Sequence, residues 1–383
     1  VQLRTTCGAY VGYVPIGQRR HALPESAVQG ILRTVASECP ALSLGALDNS
    51  VAVAVRAKFE RSRPISGIAD VQRLCLSRSA IIPGGSQLVP NPRGSLSNVV
   101  AVPGVRGVGS KEFDARAFNV RATSLSLLDA VNALSASDAF RYPLGAECAG
   151  TWADNSDGAV AGSAAFGLAV GCLGTMVLAD VMLMPPKPAF LSFEACSSTP
   201  TAYVGAQMAL RATAFAGSTQ PFLVHAARDA IGTTTVQLIA NLGGQCMATE
   251  VSHKRTLVRS LGTKCTLDAH TTTFVEDLLV AGNGVSPGAV LNTATSGGLV
   301  AASLASLSTH AHLVEHGKRS LWTNQRVKME RIDVTYNLLS SDVRTVDGDV
   351  SPTLSTLASA LAQGAVSPLH QLVHTLGNAR AAL

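Results

Sequence analysis

The sequence predicts an α/β fold in which a dinucleotide-binding unit is inserted into a β-rich domain. The first observation is the stretch from Pro221 to Arg255, which has the pattern strand, turn, helix, strand. The second is the segment from Ala146 to Pro186, which is rich in glycine and valine and contains short strand-like runs. The third is a helical segment from Ser351 to Gln363 that follows the dinucleotide-binding unit. Together they predict a β-rich domain, an inserted dinucleotide-binding domain and a return segment.

The elements of the dinucleotide-binding unit follow from its apolar pattern. Phe222 to Val224 is a short apolar run, which is typical of a buried parallel strand. Apolar residues from Ile231 to Leu242 lie roughly on one helical face, and Gly243-Gly244 ends the helix. Gln245 to Thr249 is predicted to be the second strand. In such a unit the ligand binds at the first turn, between strand and helix.

That turn has lost most of its glycines. A helix amino terminus offers unpaired N–H groups and partial positive charge to a pyrophosphate, and glycines let the backbone approach it. Only Gly232 remains of three glycine positions, and Asp229 repels a pyrophosphate unless it turns away or pairs with a cation such as Arg228. The predicted cofactor contacts here are His225, Ala227, Asp229, Ala230, Ile231, Gly232 and, at the end of the second strand, Thr249.

Two basic residues follow the second strand. Lys254 and Arg255 can pair with a ribose 2′-phosphate, which favours NADP over NAD. They can equally form a solvated charged turn, and their spacing does not separate the two interpretations.

Composition limits the class of protein. The 383 residues are enough for two or three domains, and with 47% hydrophobic and 14% charged residues a folded core is expected. The net charge of +5 is dispersed, which argues against a nucleic-acid surface. The eight cysteines form no C-x-x-C motif, which is typical of a reducing compartment. With no signal peptide, a cytoplasmic location is expected, and the ends at Val1 and Leu383 suggest a piece of a larger polypeptide.

Other elements are predicted from local pattern. The apolar stretch Ala159 to Ala179 is long enough to span a membrane, but its glycines favour a buried strand pair. Pro24 and Pro40 bound a predicted helix near the amino terminus. The predicted elements, in order, are a helix at Glu25 to Glu38, a strand at Ser43 to Asp48, a helix or strand at Val51 to Ala57, and helices at Ser126 to Leu134 and Phe193 to Ala214.

An ordered series of motifs resembles one family. The layout is similar to that of the medium-chain reductases, and the motifs resemble the enoyl reductase domains of type I polyketide and fatty acid synthases, which need no zinc. The segments that carry this resemblance are Tyr142 to Gly150 (similar to LGxExAG), Gly167 to Gly174, Ser192 to Ala202, Val224 to Gly232, Val290 to Thr293, and Leu313 to Lys318 (similar to FxExGK).

The resemblance implies a division into four parts. Residues 1–96 would be the end of a ketoreductase-like α/β subdomain and a linker, on the basis of Gln29 to Thr34 with Glu38, Pro40 and Asp48. Residues 97–215 would form a GroES-like substrate domain, residues 216–345 an NADPH-binding Rossmann domain, and residues 346–383 a truncated return segment.

The reaction implied by the resemblance is hydride addition from NADPH to the β-carbon of an enoyl thioester, followed by protonation of the α-carbon. Lys318 matches the family's proton-donating lysine, and Asp342 is the nearest match to its acidic partner. Gly317 and Asn292 are expected at the cofactor, and Ser126, Ser137 and Tyr142 at the substrate. No metal is expected, because Gly145-Ala146-Glu147 lacks the histidine that zinc-dependent relatives use.

The implied partners are an acyl carrier protein, the neighbouring synthase domains and a second copy in a homodimer, without nucleic acid or membrane. Two alternatives stay open. One is a degenerate enoyl-reductase-like scaffold without activity, because the nucleotide loop is altered. The other is a free-standing zinc-free quinone reductase, against which the upstream subdomain argues.

Overall fold

The computed structural model describes residues 10–15, 52–57, 85–103, 115–135, 143–155, 160–215, 220–294, 298–316, 321–339 and 350–379. Four sheets occur in this part of the chain. The two largest are a six-stranded sheet and a four-stranded sheet, and the candidate site lies between them.

The six-stranded sheet has the strand order of a dinucleotide-binding fold. All its neighbouring strands are parallel, and counted along the chain its order is 3-2-1-4-5-6. The order reverses between the first and fourth strands, which opens a crevice at their carboxyl ends. The strands are β9 (Phe222–His225), β10 (Cys246–Glu250), β11 (Cys265–Asp268), β12 (Ala289–Asn292), β13 (His312–Glu315) and β14 (Thr335–Leu338).

Helices cover both faces of this sheet because side chains alternate along each strand. Phe222 and Val224 of β9 belong to one buried cluster, and Leu223 between them belongs to the other. The first cluster includes residues of α3 (Pro200–Ala212), α4 (Ala230–Asn241), α5 (Arg255–Ser260) and α9 (Ser351–Ala362). The second includes residues of α6 (Phe274–Ala281), α7 (Leu299–Ser306) and α8 (Asn324–Glu330). The predicted α/β fold is confirmed.

The second large sheet is antiparallel and consists of β5 (Ala115–Thr123), β6 (Glu147–Trp152), β7 (Ala164–Leu168) and β8 (Met176–Asp180), in the order β7-β6-β5-β8. Its core contains an edge-to-face pair between Phe118 and Trp152, with ring centroids 5.0 Å apart. Beside it β3 (Ser86–Pro90) pairs with β4 (Val99–Pro103).

The stretch 159–179 contributes strands, but they are not a pair. β7 and β8 lie at opposite edges of their sheet, because β5 and β6 come between them. Among the described helices, none has both the length and the apolar character needed to cross a bilayer.

Four helix predictions hold with changed boundaries. The helix predicted over 231–242 is α4, which begins and ends one residue earlier. The first described helix, α1 (Leu127–Leu134), begins after Ser126, which is its N-cap. The helix predicted over 193–214 is two helices, α2 (Phe193–Ser197) and α3, because Pro200 starts a new helix at its first position. The helix predicted over 351–363 ends one residue earlier.

The amino-terminal predictions lie largely outside the described residues. The stretch 51–57 is the strand β2 (Ala52–Ala57), which pairs antiparallel with β1 (Tyr10–Pro15). The predicted helix at 25–38 and strand at 43–48 lie outside the described residues, as does most of the ketoreductase-like segment.

A buried histidine joins the central strand to its neighbours. His225 is fully buried; its Nδ1 lies 2.9 Å from Thr249 Oγ1 on β10, and its Nε2 lies 2.8 Å from Ser303 Oγ on α7. The Ser303 hydroxyl donates to Leu299 O at 2.6 Å, so it accepts from the imidazole, which therefore carries its proton on Nε2. Burial lowers the pKa of His225 to about 4.

This histidine makes the protein sensitive to acid. The unfolded chain binds a proton at His225 below about pH 6.5, whereas the native ring stays neutral until about pH 4. The free energy of unfolding therefore decreases by roughly 3 kcal/mol from this group as the pH falls through that window. Urea unfolding at several pH values measures the decrease.

His225→Gln removes this contribution, so its stability should fall less steeply between pH 6.5 and 4 than that of the wild type. His253→Gln, at an exposed position, is the matched control and should keep the wild-type slope. Equal slopes for wild type and His225→Gln would contradict the prediction.

Candidate functional site

The nucleotide loop joins β9 to α4. Ala226 has a left-handed φ of 47°, and Asp229 is the N-cap of α4 but forms no side-chain cap hydrogen bond. A Cβ on Gly232 would lie 2.8 Å from Ala226 O and 2.9 Å from Ala227 Cα, so only glycine allows the helix this close to the turn. The N–H groups of Ala230 and Ile231, in the first helical turn, have no intrahelical acceptor. Both residues line the cleft.

This arrangement fits the pyrophosphate of a dinucleotide. A 12-residue helix points its amino terminus at the crevice where the strand order reverses, and the close contact at Gly232 is preserved. Asp229 opposes an anion at the same place. Desolvation by the surrounding protein and then the negative charge of Glu250 raise the pKa of Asp229, while Lys254 acts in the opposite direction.

Glu250 is a residue that the sequence prediction missed. It is the last residue of β10, is only 4% exposed, and accepts hydrogen bonds from Arg228 N at 2.8 Å and Val251 N at 2.9 Å. Its carboxylate thus binds the backbone of the nucleotide loop. The sequence feature that could have identified Glu250 is an acidic residue at the end of the second strand, about 20 residues after the turn.

The two predicted phosphate-binding cations differ in their surroundings. The Arg255 guanidinium donates from Nε to Glu250 O at 3.0 Å and forms an ion pair with Asp268 at 3.3 Å. Lys254 lies half-buried at the end of a short 3-10 turn, close enough for its charge to act on Asp229. Thr249, also predicted at the cofactor, is fully buried, and its hydroxyl is bound to His225.

A cleft of about 1020 Å³ separates the parallel sheet from the antiparallel one. Its walls combine the end of β5 and the turn into α1 with the first residues of α4. Thr293 after β12 and His316 after β13 line it from the parallel sheet, and residues 369–376 line another side. The cleft therefore lies where the strand order reverses, beside the nucleotide loop.

Glu147 forms part of the cleft wall and is buried. Its carboxylate accepts hydrogen bonds from Ser124 Oγ and, at 2.7 Å, from Thr201 N in the first turn of α3. Burial raises the pKa of Glu147, and these hydrogen bonds oppose the rise. Glu147 thus ties the antiparallel sheet to a helix that packs on the parallel sheet. The sequence motif contained Glu147 without indicating this role.

Ser126, predicted at the substrate, lines the cleft and also caps α1. Its Oγ accepts from Asp129 N at 3.3 Å and donates to Asp129 Oδ2 at 2.8 Å. The other oxygen of Asp129 accepts from Gly145 N at 2.8 Å. This network fixes the turn that faces the cleft.

Asn292, predicted at the cofactor, is 2% exposed at the end of β12. Its amide donates to Glu315 Oε2 at 2.8 Å and accepts from Ala294 N at 3.2 Å. The neighbouring Thr293 donates to His225 O at 2.7 Å. Asn292 therefore shapes the loop that presents Thr293 to the cleft.

Five predicted site residues lie outside the described residues: Gly317, Lys318, Asp342, Ser137 and Tyr142. In the described part of the chain, no three His, Cys, Asp or Glu side chains are grouped so as to hold a metal ion.

Sequence comparison relates the chain to polyketide synthases. It is 31% identical over 253 residues to the spectinabilin polyketide synthase system protein NorB of Streptomyces orinoci, which covers 65% of this chain and 12% of that protein. It is 25% identical over 387 residues to a mycocerosic acid synthase-like polyketide synthase of Mycolicibacterium smegmatis, covering 92% of this chain and 18% of that protein. The chain thus spans less than a fifth of these relatives. No protein-family model matches it.

Structural comparison agrees. The crystal structure of the CurK enoyl reductase superimposes with a TM-score of 0.71 and 25% identity, covering 78% of this chain and 95% of that one. A mycobacterial protein complexed with NADPH has the same fold, with a TM-score of 0.64 and 17% identity over 78% of this chain and 94% of that one. The chain therefore has the medium-chain reductase fold and is similar to the enoyl reductase domains of polyketide synthases.

Proposed function

We propose that this domain reduces a 2-enoyl thioester with NADPH, as part of a type I polyketide or fatty acid synthase. The observation that carries the proposal is the cleft at the reversal of strand order, with the open amino terminus of α4 on its wall. The relation to multidomain synthases supports it.

The chemistry divides between cofactor and protein. When bound, NADPH supplies the hydride that adds to the β-carbon of the enoyl thioester. Lys318 then gives a proton to the α-carbon, and Asp342 supports Lys318 electrostatically. The product is the saturated thioester, with one hydrogen added at each carbon of the former double bond.

The described residues bind and orient the reactants. The first turn of α4 binds the pyrophosphate through the N–H groups of Ala230 and Ile231. Thr293, held by its hydrogen bond to His225 O, lines the cleft and would contact the bound cofactor. The walls at Leu173, Ile231 and Leu376 are apolar and exclude water from the reacting double bond.

The synthase context supplies the partners in this proposal. The enoyl chain arrives on an acyl carrier protein, neighbouring synthase domains hold the reductase in place, and two copies form a homodimer in the cytoplasm. The cleft volume of about 1020 Å³ is large enough to hold part of the dinucleotide together with an acyl chain.

A second candidate is a scaffold domain without turnover. Two carboxylates favour it, because Asp229 lies at the cleft and Glu250 already binds the loop N–H of Arg228. Both lower the affinity of the loop for a pyrophosphate. Cofactor binding separates the two candidates.

The catalytic proposal predicts that NADPH binds in the micromolar range and is oxidised by a crotonyl thioester. Lys318→Ala should lower kcat roughly 100-fold, because the α-carbon loses its proton donor, while NADPH affinity stays near that of the wild type. Fluorescence titration measures the binding, and absorbance of the same sample measures the oxidation.

Lys328→Ala is the control, since Lys328 is exposed on α8 and its loss should change neither quantity. Absence of NADPH binding up to millimolar concentrations would refute the catalytic function and leave the scaffold. Unchanged turnover in Lys318→Ala would refute the role of Lys318.

Asp229→Asn should increase the affinity for NADPH. The substitution keeps the size of the side chain but removes a negative charge beside the pyrophosphate. Because this repulsion is lost, the dissociation constant for NADPH should fall roughly threefold to tenfold. Asp277→Asn removes the same charge from an exposed position on α6 and is the control. Weaker binding by Asp229→Asn would show that the carboxylate supports the cofactor instead of repelling it.

A further inference from the structure

One strand of the antiparallel sheet carries an extra residue at the wall of the cleft. The pairing of β5 with β6 skips from Val120 to Ala122, so Arg121 has no partner on β6. On the other side of β5, the pairing with β8 has already ended at Asn119. A β-bulge of this kind turns a side chain in a new direction, and such bulges are frequent beside ligand sites. The sheet therefore does not fix Arg121 by pairing on either side.

Arg121 brings the only permanent positive charge among the described residues that line the cleft, because none of the others is a lysine or an arginine. The residue is exposed, and its guanidinium forms no hydrogen bond or ion pair within the described part of the chain. The carboxylates that line the cleft with it, those of Glu147, Glu194 and Asp229, likewise form no ion pair with it. A guanidinium stays charged at every physiological pH, so it is open to an anionic group of a ligand.

The cleft offers positions for two phosphate groups on opposite walls. On the parallel-sheet side, the N–H groups of Ala230 and Ile231 at the amino terminus of α4 suit the pyrophosphate of the dinucleotide. Arg121 belongs to the antiparallel sheet, which forms the other wall. A second anion at Arg121 therefore does not compete with the pyrophosphate for the same donors.

The thioester of the proposed reaction supplies such an anion. An acyl chain on a carrier protein is attached through a phosphopantetheine arm, in which the phosphate is the one ionised group and the enoyl thioester is uncharged. A guanidinium matches phosphate oxygens with two parallel hydrogen bonds. The chain that continues from Arg121 lines the cleft with Leu125 and Leu127, and Leu173 adds to the same apolar lining. This lining suits the uncharged acyl end of the molecule.

We propose that Arg121 binds the phosphate of the pantetheine arm that carries the enoyl chain. The cleft then holds the thioester by its phosphate as well as by its acyl end. This inference rests on the proposed function, because it concerns the acyl thioester in the same cleft. It goes beyond that proposal by assigning a residue of the antiparallel wall to a charged group of the substrate.

Two thioesters that differ only in the phosphate test the inference. Butyryl-phosphopantetheine and butyryl-pantetheine are titrated into the protein by calorimetry, without cofactor and without turnover. The phosphorylated thioester is expected to bind about tenfold tighter, and added salt should reduce the difference because the charge is exposed. Arg121→Gln should reduce the difference to less than about twofold, whereas Arg121→Lys keeps the charge and should retain part of it.

Arg259→Gln is the control, since it removes the same charge from an exposed position on α5 outside the cleft and should keep the wild-type difference. The wild-type comparison needs no variant, so the test stays decisive if Arg121→Gln does not fold. Equal affinities of the wild type for the two thioesters overturn the inference, as does a difference that Arg121→Gln leaves unchanged. Binding of neither thioester also overturns it.

The dinucleotide is a second source of phosphate, and its binding separates the two assignments of Arg121. The dissociation constant for NADPH should change by less than about twofold in Arg121→Gln, because the pyrophosphate lies on the other wall. Loss of NADPH affinity together with an unchanged difference between the thioesters would assign Arg121 to the dinucleotide and overturn the inference.

The inference and the proposed function fail in different ways. A preference for the phosphorylated thioester that depends on Arg121, without oxidation of NADPH by crotonyl-phosphopantetheine, supports the inference and refutes the catalytic proposal. Turnover with the same KM for crotonyl-phosphopantetheine and crotonyl-pantetheine overturns the inference and keeps the proposed function.

Discussion

The central position of β9 is the constraint on which the rest of the structure depends. β9 is hydrogen-bonded to β10 on one side and to β12 on the other, and all four of its residues are buried. A strand buried on both faces must be apolar, and its one polar residue, His225, is accommodated by two hydroxyl partners. After β9 the chain forms β10 on one side of it, and β12 is later added on the other side. The crevice at the carboxyl ends of β9 and β12 is therefore a result of the strand order.

Buried carboxylates shape the cleft by accepting backbone hydrogen bonds. Glu147 accepts from the first turn of α3, Asp129 from the turn at Gly145, and Glu250 from the nucleotide loop. A carboxylate accepts from several donors at once, and such charge-assisted bonds are stronger than neutral ones. Each of these groups joins segments that are 16 to 54 residues apart. The walls of the site are thus held by polar contacts as well as by the apolar cores on either side.

Electrostatics and geometry act in opposite directions at the nucleotide loop. The helix terminus, the close contact at Gly232 and the crevice suit an anion, whereas Asp229 and Glu250 add negative charge. In water these repulsions are of the order of 1 kcal/mol each, which changes affinity without abolishing the site. The loop keeps the close contact at Gly232 although Ala227 and Asp229 stand at the other two glycine positions.

The sequence by itself determined the elements around the loop, the order of the motifs and the α/β class, because these depend on local periodicity and on turn residues. It also indicated the loop residues from Ala227 to Gly232. Only the tertiary structure decided the partners of the polar side chains. Arg255 was predicted as a phosphate ligand from its place in the chain, but its pairing with Asp268 depends on the neighbouring strand. Likewise, Glu250 reaches Arg228, 22 residues away, because β10 pairs in parallel with β9. Contacts between distant segments depend on strand order and register, which local pattern does not specify.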